Sequence, residues 1–440
     1  MFEVSEKPRR VERAFLVSVV RHKEEEARAV SLLEELKELV ENLGIEVIGS
    51  ILARVRKTYP KFLLGKGKVQ EILELAQAAD CDVIVFDNEL TPGQQRNWEK
   101  ESKGAVIDRH EVIIDVFADR AQTREAVLQV ELARLEYSLP RLRRAWTHLG
   151  RQRGGGVTQR GEGEAQLELD QRMVRDKIAS TKRELVQVIR QRTVSRKRRR
   201  RVPVPTASIV GYTNAGKSTL LNKLTGSDIY VADKLFATLD PTSRKMNLPS
   251  GRGFVLTDTV GFVRNLPHRL VDAFKATLEE ALVADFLIHV VDLSSGETVD
   301  QMETTLEVLD ELGIVEKKII TVFNKVDLVD DEIERASARF KVPDAIFVSA
   351  TTGEGLEALI TVFEDILKEG FVEREYLVPH DRYDLVARLR RAGSIRKEES
   401  NEDGVFLLAS PADSLIPGME AFRSKPVSYK HRTLPTPPYG

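Results

Sequence analysis

The stretch GYTNAGKS, residues 211–218, carries the most specific chemistry in the chain. Two glycines with four residues between them, then a lysine and a hydroxyl, are what a loop needs to wrap phosphates. Gly211, Tyr212, Thr213, Asn214, Ala215 and Gly216 offer backbone N–H groups, Lys217 offsets charge on the β and γ groups, and Ser218 can ligate magnesium, with Thr219 following in the first helical turn. Three later motifs stand in the order a nucleotide switch requires. FVLTDTVG places Asp258 where a carboxylate can hold magnesium through water, and Gly261 where an N–H can meet a γ-phosphate. ITVFNKVD supplies Asn324, Lys325 and Asp327. A carboxylate at Asp327 accepts from the guanine N1–H and 2-amino group, donors that adenine lacks, so the expected base is guanine. AIFVSA brings the backbone of Ser349 and Ala350 to the guanine O6, and in FATLDPT the Thr238 hydroxyl is expected to reach magnesium and γ-phosphate only in the triphosphate state. The expected catalytic set is therefore Lys217, Thr238 and Gly261, and the expected magnesium ligands are Ser218, Thr238 and Asp258.

Each motif must stand at the end of a rigid element. VPTASIV reads as a strand entering the phosphate loop, and residues 202–370 as a P-loop α/β domain. Residues 1–120 alternate in the same way: RAFLVSVV, IEVIGSILARV, CDVIVFD and GAVID as strands, with helical pieces between them. That alternation predicts a small, mainly parallel sheet flanked by helices. GKGK at 65–68 is either a phosphate site at a helix start or a plain turn. Residues 371–425 read strand, helix, strand, a small α+β appendage whose Arg388, Arg390 and Arg391 face either solvent or a second partner contact. Residues 426–440, rich in proline, read as a flexible tail.

Residues 121–201 form the third kind of segment. Leu128, Leu132, Leu135, Leu139, Leu142, Trp146 and Leu149 recur at steps of four and three, and Leu167, Val174, Ile178, Leu185 and Val188 answer them. Two such arms predict an antiparallel helical hairpin, bent at Pro140. Its tip is GRQRGGGVTQRGEGE, from Gly150 to Glu164, with six glycines and three arginines. Glycine this dense is expected to exclude helix, and a tip that only closed the hairpin would need about two to eight residues. Between Arg141 and Arg201 there are 19 Lys and Arg against 6 Asp and Glu, ending in RKRRRR from Arg196 to Arg201. Against a whole-chain charge of −2, such a concentration points to a polyanionic partner.

Composition narrows the rest. With 440 residues, 42% hydrophobic and 31% charged, the chain is globular and multidomain. A single cysteine, Cys81, allows no intrachain disulfide. The apolar run from Ala14 to Val20 is far too short to span a bilayer, so the expectation is a cytoplasmic protein, not held in a membrane, acting as a monomer.

GYTNAGKS, FATLDPTSR, DTVGF, NKVD, the hairpin segment GGGVTQRGEGEAQLELD and upstream YPKFLLGKGKVQEI together resemble the HflX family, ribosome-associated GTPases of the Obg-like group. The resemblance covers about residues 10–370 well and the C-terminal part loosely. It implies GTP and GDP as ligands, binding to the large ribosomal subunit with the hairpin tip near the peptidyl-transferase centre, and in some members splitting of stalled ribosomes. On that reading Arg151, Arg153 and Arg160 pair with phosphates or stack on bases of ribosomal RNA, with the 196–201 run as a further contact. Asn214 resembles the asparagine that holds a potassium ion in some related GTPases, with loop bracing as the alternative. Phe262 stands where small GTPases often carry a water-orienting glutamine, so hydrolysis is expected to be slow until a partner rearranges the site. Two other readings stay open: a ribosome-assembly GTPase or RNA chaperone, and a tRNA-modification GTPase. Related tRNA-modifying enzymes use a C-terminal cysteine, and Cys81 lies far from that end.

Overall fold

Three sheets organise the computed structural model, which describes residues 11–145, 157–199, 204–227, 235–236, 241–265, 280–314, 317–369, 374–391, 395–409 and 416–423. The first holds β1 (Arg13–Val20), β2 (Glu46–Arg54), β3 (Val83–Phe86) and β4 (Ala105–Asp108), in the order β2-β1-β3-β4 with every neighbour parallel. Ala14 to Val20 are buried without alternation, the signature of a strand covered on both faces. Between the strands run α1 (Glu26–Asn42), α2 (Lys66–Ala78) and α3 (Pro92–Ser102), and α4 (Arg109–Arg120) follows β4. Thr91 caps α3 by accepting from the Gln94 N–H at 3.3 Å, and Pro92 fills the first turn, where its missing N–H costs nothing.

The hairpin consists of α5 (Arg124–Ala145) and α6 (Val157–Arg199). Pro140 lies inside α5, as the sequence predicts. The expected glycine tip is shorter than its composition suggests, because Gly161 and Gly163 belong to α6. Each glycine costs about 1 kcal/mol in a helix, and Glu162, Glu164, Ala165, Gln166 and Leu167 around them are strong helix formers that offset it. Trp146, Leu149, Arg151, Arg153 and the Gly154 to Gly156 run lie outside the described residues. The two arms pack together, with Leu128 and Leu132 buried and Leu135, Leu139 and Leu142 half-buried on the first, and Val174, Ile178, Leu185 and Val188 half-buried on the second. Ion pairs Lys177–Glu131 (3.1 Å), Lys182–Glu136 (2.7 Å) and Arg124–Glu184 (3.5 Å) join the arms, so part of the basic charge is already answered within the hairpin.

The second sheet runs β10 (Ile346–Phe347), β9 (Lys318–Asn324), β8 (Phe286–Asp292), β5 (Thr206–Gly211), β7 (Gly253–Asp258), β6 (Thr242–Asn247); only β6 is antiparallel to its neighbour. Around it lie α7 (Lys217–Thr225), α8 (Thr298–Glu311), α9 (Glu332–Lys341) and α10 (Leu356–Glu369). The carboxyl ends of β5, β7, β9 and β10 deliver the four nucleotide motifs to one edge, where open α/β sheets bind ligands.

The third sheet, β11 (Arg374–Val378), β13 (Gly404–Ala409) and β12 (Ile395–Asn401), is antiparallel and packs α11 (Tyr383–Arg391). Where the sequence suggests one strand after the helix, a turn at Glu402 and Asp403 folds the segment into two. This appendage encloses its own cluster of Tyr376, Val378, Leu385, Val386, Leu389, Val405 and Leu407. The first two sheets, by contrast, share one core. Leu36 of α1, Ile113 and Phe117 of α4, Val130 of α5, Tyr212, Phe236 and Phe262 belong to a single buried cluster, with the Phe117 and Phe236 rings 4.6 Å apart edge to face.

Candidate nucleotide site

The phosphate loop bridges the end of β5 and the start of α7. Gly216 takes φ +88°, and a Cβ there would collide with the Asn324 side-chain amide, so both conformation and space demand glycine. Lys217 is buried and donates its Nζ to the Tyr212 carbonyl at 2.6 Å, inside its own loop. Burial pulls the Lys217 amine down to about 8, against the opposing pull of Asp258. Ser218 Oγ donates to the Asp258 carboxylate at 2.6 Å, so two of the three expected magnesium ligands meet across 40 residues of sequence. Hard oxygen donors of this kind suit magnesium, which takes one or two protein ligands and fills its shell with water and phosphate oxygens. Thr219 follows on α7, half-buried, and Asn214 is exposed with φ +59°.

The loop is braced by the DTVGF segment. Thr213 N–H donates to the Phe262 carbonyl at 2.7 Å and Phe262 N–H to the Gly211 carbonyl at 3.1 Å. Gly261 lies so close that a Cβ would stand 2.7 Å from Thr213 Cα and 2.9 Å from Lys217 Nζ, which sets this glycine beside the phosphate lysine. The Phe262 ring is 1% exposed in the shared core, so it cannot orient a water by hydrogen bonding. The segment before Thr238 is also tied in: Phe236 N–H donates to Thr213 Oγ1 at 2.7 Å. Thr238 itself lies outside the described residues.

At the base end Asn324 is the keystone. Its Nδ2 donates to the Ala215 carbonyl at 2.9 Å, and its Oδ1 accepts from the Ala350 N–H at 3.0 Å, so one amide holds the phosphate loop to the VSA loop. Lys325 adopts φ +63° and pairs with Asp292 at 2.7 Å. Asp327 stands exposed in the single turn Val326–Leu328, open to accept from a base, while Ser349 and Ala350 are buried.

Three further features escape the motif reading. Glu35, on the apolar stripe of α1 between Leu32 and Leu39, accepts a hydrogen bond from the Tyr212 hydroxyl. Arg264, two residues past Phe262, donates its backbone N–H to that same hydroxyl at 2.9 Å and its Nη2 to Ser31 at 2.8 Å. The only available signal was an acid set among leucines at helical spacing. His289 on β8 is 1% exposed, and burial together with Lys217 pushes it down to about 4, so it is a neutral filler. Burial raises the Cys81 thiol, and Asp82 adds to that, the reverse of what a catalytic thiolate requires.

Four family profiles match in succession: GTP-binding GTPase N-terminal over residues 31–118, GTP-binding GTPase Middle Region over 120–199, 50S ribosome-binding GTPase over 206–325, and HflX C-terminal domain over 332–412. The GTPase HflX of Akkermansia muciniphila is 50% identical over 433 residues, covering 96% of this chain and 99% of its own. The GTPase HflX of Escherichia coli K12 is 41% identical over 375 residues, covering 84% and 87%. A GTP-binding protein of Sulfolobus solfataricus solved with GDP is 25% identical, covering 81% of this chain and 99% of its own, with a TM-score of 0.44. Among the described residues no helix is long and apolar enough to cross a membrane. With relatives of such identity spanning nearly its whole length, and a nucleotide site assembled from all four motifs, the chain belongs to the HflX family and is a GTPase.

Proposed function

We propose that this GTPase acts in the cytoplasm on the large ribosomal subunit, binding it through the hairpin and using GTP to split or rescue stalled ribosomes. The observation that carries the reading is the joining of a nucleotide site to a 43-residue helix, α6, whose last turns hold Arg196, Lys197, Arg198 and Arg199. At 1.5 Å per residue that helix is roughly 65 Å long, enough to set its Val157 end far from its Arg199 end. The family profile over 206–325, a 50S ribosome-binding GTPase, supports the same partner.

In this reading residues 1–120, 121–201, 202–370 and 371–425 are four working parts. Gly211, Tyr212, Thr213, Asn214, Ala215, Gly216, Lys217, Ser218 and Thr219 cradle the phosphates; Asn324, Lys325, Asp327, Ser349 and Ala350 take the guanine. Magnesium, held by Ser218, Thr238 and Asp258, would neutralise charge on the transferred phosphoryl group. Lys217 and the Gly261 N–H stabilise charge as it develops on the γ-phosphate. Asn214 is the position for a potassium ion. Since Phe262 leaves no side chain to orient water, turnover is slow until ribosomal particles rearrange the site.

Sedimentation with ribosomal particles in GDP, GTP and a non-hydrolysable analogue tests this. Co-sedimentation with assembled ribosomes and large subunits that favours the triphosphate state is expected; binding confined to precursor particles would favour an assembly role instead. Neutralising Arg151, Arg153 and Arg160 is expected to flatten the salt dependence of binding by a slope of order one for each phosphate that loses its counter-charge. An unchanged slope would make the tip a connector.

A further inference from the structure

Two elements of the nucleotide site, the phosphate loop and the segment after DTVG, are here fastened by their side chains to a different unit of the molecule. The Tyr212 hydroxyl donates to Glu35 Oε2 and accepts from the Arg264 N–H, so a single phenol bridges α1 and the switch segment. Arg264, 3% exposed, places Nη2 at 3.4 Å from the same carboxylate oxygen and Nη1 at 2.9 Å from Glu297. The other oxygen of Glu35 accepts from Arg109 Nη1 at 2.5 Å. Arg109 is 1% exposed and is held further by Asp87 at 2.7 Å and the Leu32 carbonyl at 2.5 Å.

The residue before Arg109 continues the connection. Asp108, fully buried at the start of α4, accepts from Tyr137 Oη at 2.8 Å and from Arg141 Nη2 at 3.3 Å, both on α5. The Arg141 guanidinium stacks 3.3 Å from the Tyr137 ring centre and donates to Gln95 at 2.7 Å. These two residues flank Pro140 within that arm. Apart from the covalent step between Asp108 and Arg109, the links are hydrogen bonds of fixed direction, buried from Arg264 to Arg109 and half-buried from Asp108 to α5, and all but the bond from the Arg264 N–H to Tyr212 involve a charged group.

A buried carboxylate between two guanidinium groups contributes little net stability, because removing three charges from water costs about what their attraction returns. Leucine and phenylalanine would hold this interface at least as well, and they surround it already. What apolar packing cannot supply is direction.

We propose that Glu35 is a positioning residue for GTP hydrolysis: one carboxylate that sets the placement of Tyr212 and Arg264 beside the phosphate site and, through Arg109 and Asp108, ties that placement to the distal half of the first hairpin arm, α5. Movement of the hairpin arm then reaches the phosphate loop through a chain of directed bonds, and a shift of Gly261 toward a γ-phosphate draws on the same chain from the other end. Such coupling acts equally in both directions. The inference rests on the GTPase identity and not on the choice of ribosomal partner, so its test uses the full-length protein alone.

The test is a double-mutant cycle on intrinsic GTP hydrolysis. Tyr212→Phe removes the bridging hydroxyl and keeps the ring; Glu35→Gln keeps shape and drops the charge; Arg141→Lys keeps charge on the hairpin arm and loses the forked geometry. Tyr212→Phe and Glu35→Gln are each expected to lower kcat by roughly 10-fold, with KM within about twofold and the unfolding midpoint of Tyr212→Phe close to that of the parent. In the Arg141→Lys background the effect of Tyr212→Phe is expected to shrink by at least about threefold, whereas independent sites add within about twofold. Unchanged kcat in Tyr212→Phe would overturn the positioning role, whatever the folding of Glu35→Gln. Full additivity with Arg141→Lys would overturn the tie to the hairpin. Loss of stability with kcat and KM both intact would show that the carboxylate only holds the interface together.

Discussion

The nucleotide edge of the second sheet and the interface beneath it solve the same problem, fixing a loop in space, by opposite means. At the edge the work is done by backbone, glycine and short-range turns: Gly216 against Asn324, Gly261 against Thr213, Lys217 within its own loop. Below it, side chains reach across 177 residues from Glu35 to Tyr212 and 229 to Arg264. The first kind of site tolerates no change of shape and little change of charge. The second can be altered in steps, because each directed bond can be removed while the packing stays. A site built of backbone fixes chemistry; one built of long side chains between units fixes how the units respond to each other.

If that contrast holds, the largest effects come from the edge. Lys217→Ala removes a cation buried against the phosphate cradle and is expected to weaken GTP binding by about 100-fold or more, since charge-assisted bonds to two phosphates contribute roughly 1.5 to 3 kcal/mol each. Fluorescence titration with a labelled guanine nucleotide measures it; a loss under tenfold would mean that backbone amides alone carry the phosphate. Asp327→Asn comes next. The exposed carboxylate becomes an amide that presents a donor to the guanine N1–H, so guanine affinity is expected to fall by roughly 100-fold while xanthosine nucleotides gain. Equal loss for both bases would place base recognition elsewhere.

The same contrast explains what the sequence made legible. Four motifs at strand ends predicted the edge because their contacts are local or repeat a spacing, and Ser218 and Asp258 do meet. The alternation of strand and helix predicted the first sheet, and leucine spacing predicted the hairpin. The hub was not legible. Glu35 looks like one of many glutamates on an acidic helix, and only its register with Leu32 and Leu39 marks it as inward. Arg141 counted as part of a basic surface, yet it is turned into Asp108 and Tyr137. Glycine density misled in the other direction: composition counts residues and overlooks the strong helix formers that carry α6 through Gly161 and Gly163. Local rules register neither long-range pairing nor cooperative continuation.

A smaller and graded effect separates the two regions by pH. In the ligand-free protein burial holds the Lys217 amine near about 8, below its ordinary value, so above that pH it is largely neutral. Phosphates favour its charged form, and binding then takes up a proton. GTP affinity is expected to be flat below pH 7 and to fall above pH 8, by at most about tenfold per unit. Calorimetry at pH 8.5 in two buffers of different ionisation enthalpy reads the uptake directly. Identical heats in both buffers would mean that the lysine is already charged before nucleotide arrives.

The smallest expected effect lies at the start of α4, against the hairpin arm, where charge is buried for direction at some expense of stability. Glu111, in the first turn of α4, is raised to about 7 by burial, then by Asp108 and Asp115, against the weaker opposing pull of Arg141 and of a 3.4 Å bond from Gln95 Nε2. A carboxyl raised in the folded state holds its proton more tightly there than in the unfolded chain, so between about pH 4.5 and 7 stability falls as pH rises. Above 7 the full penalty of the buried charge is present. Glu111→Gln removes the titration and keeps the shape and the Asp108 to Glu111 N–H cap, whose length is 3.2 Å. The variant is expected to be more stable than the parent by about 1 kcal/mol at pH 8, with the difference closing as pH approaches 4.5. Denaturant unfolding at a series of pH values measures it. A gain that does not vary with pH would trace the effect to packing instead of charge, and a loss at pH 8 would show that Glu111 is a working member of the Asp108 cluster, extending the chain of directed bonds by one more residue.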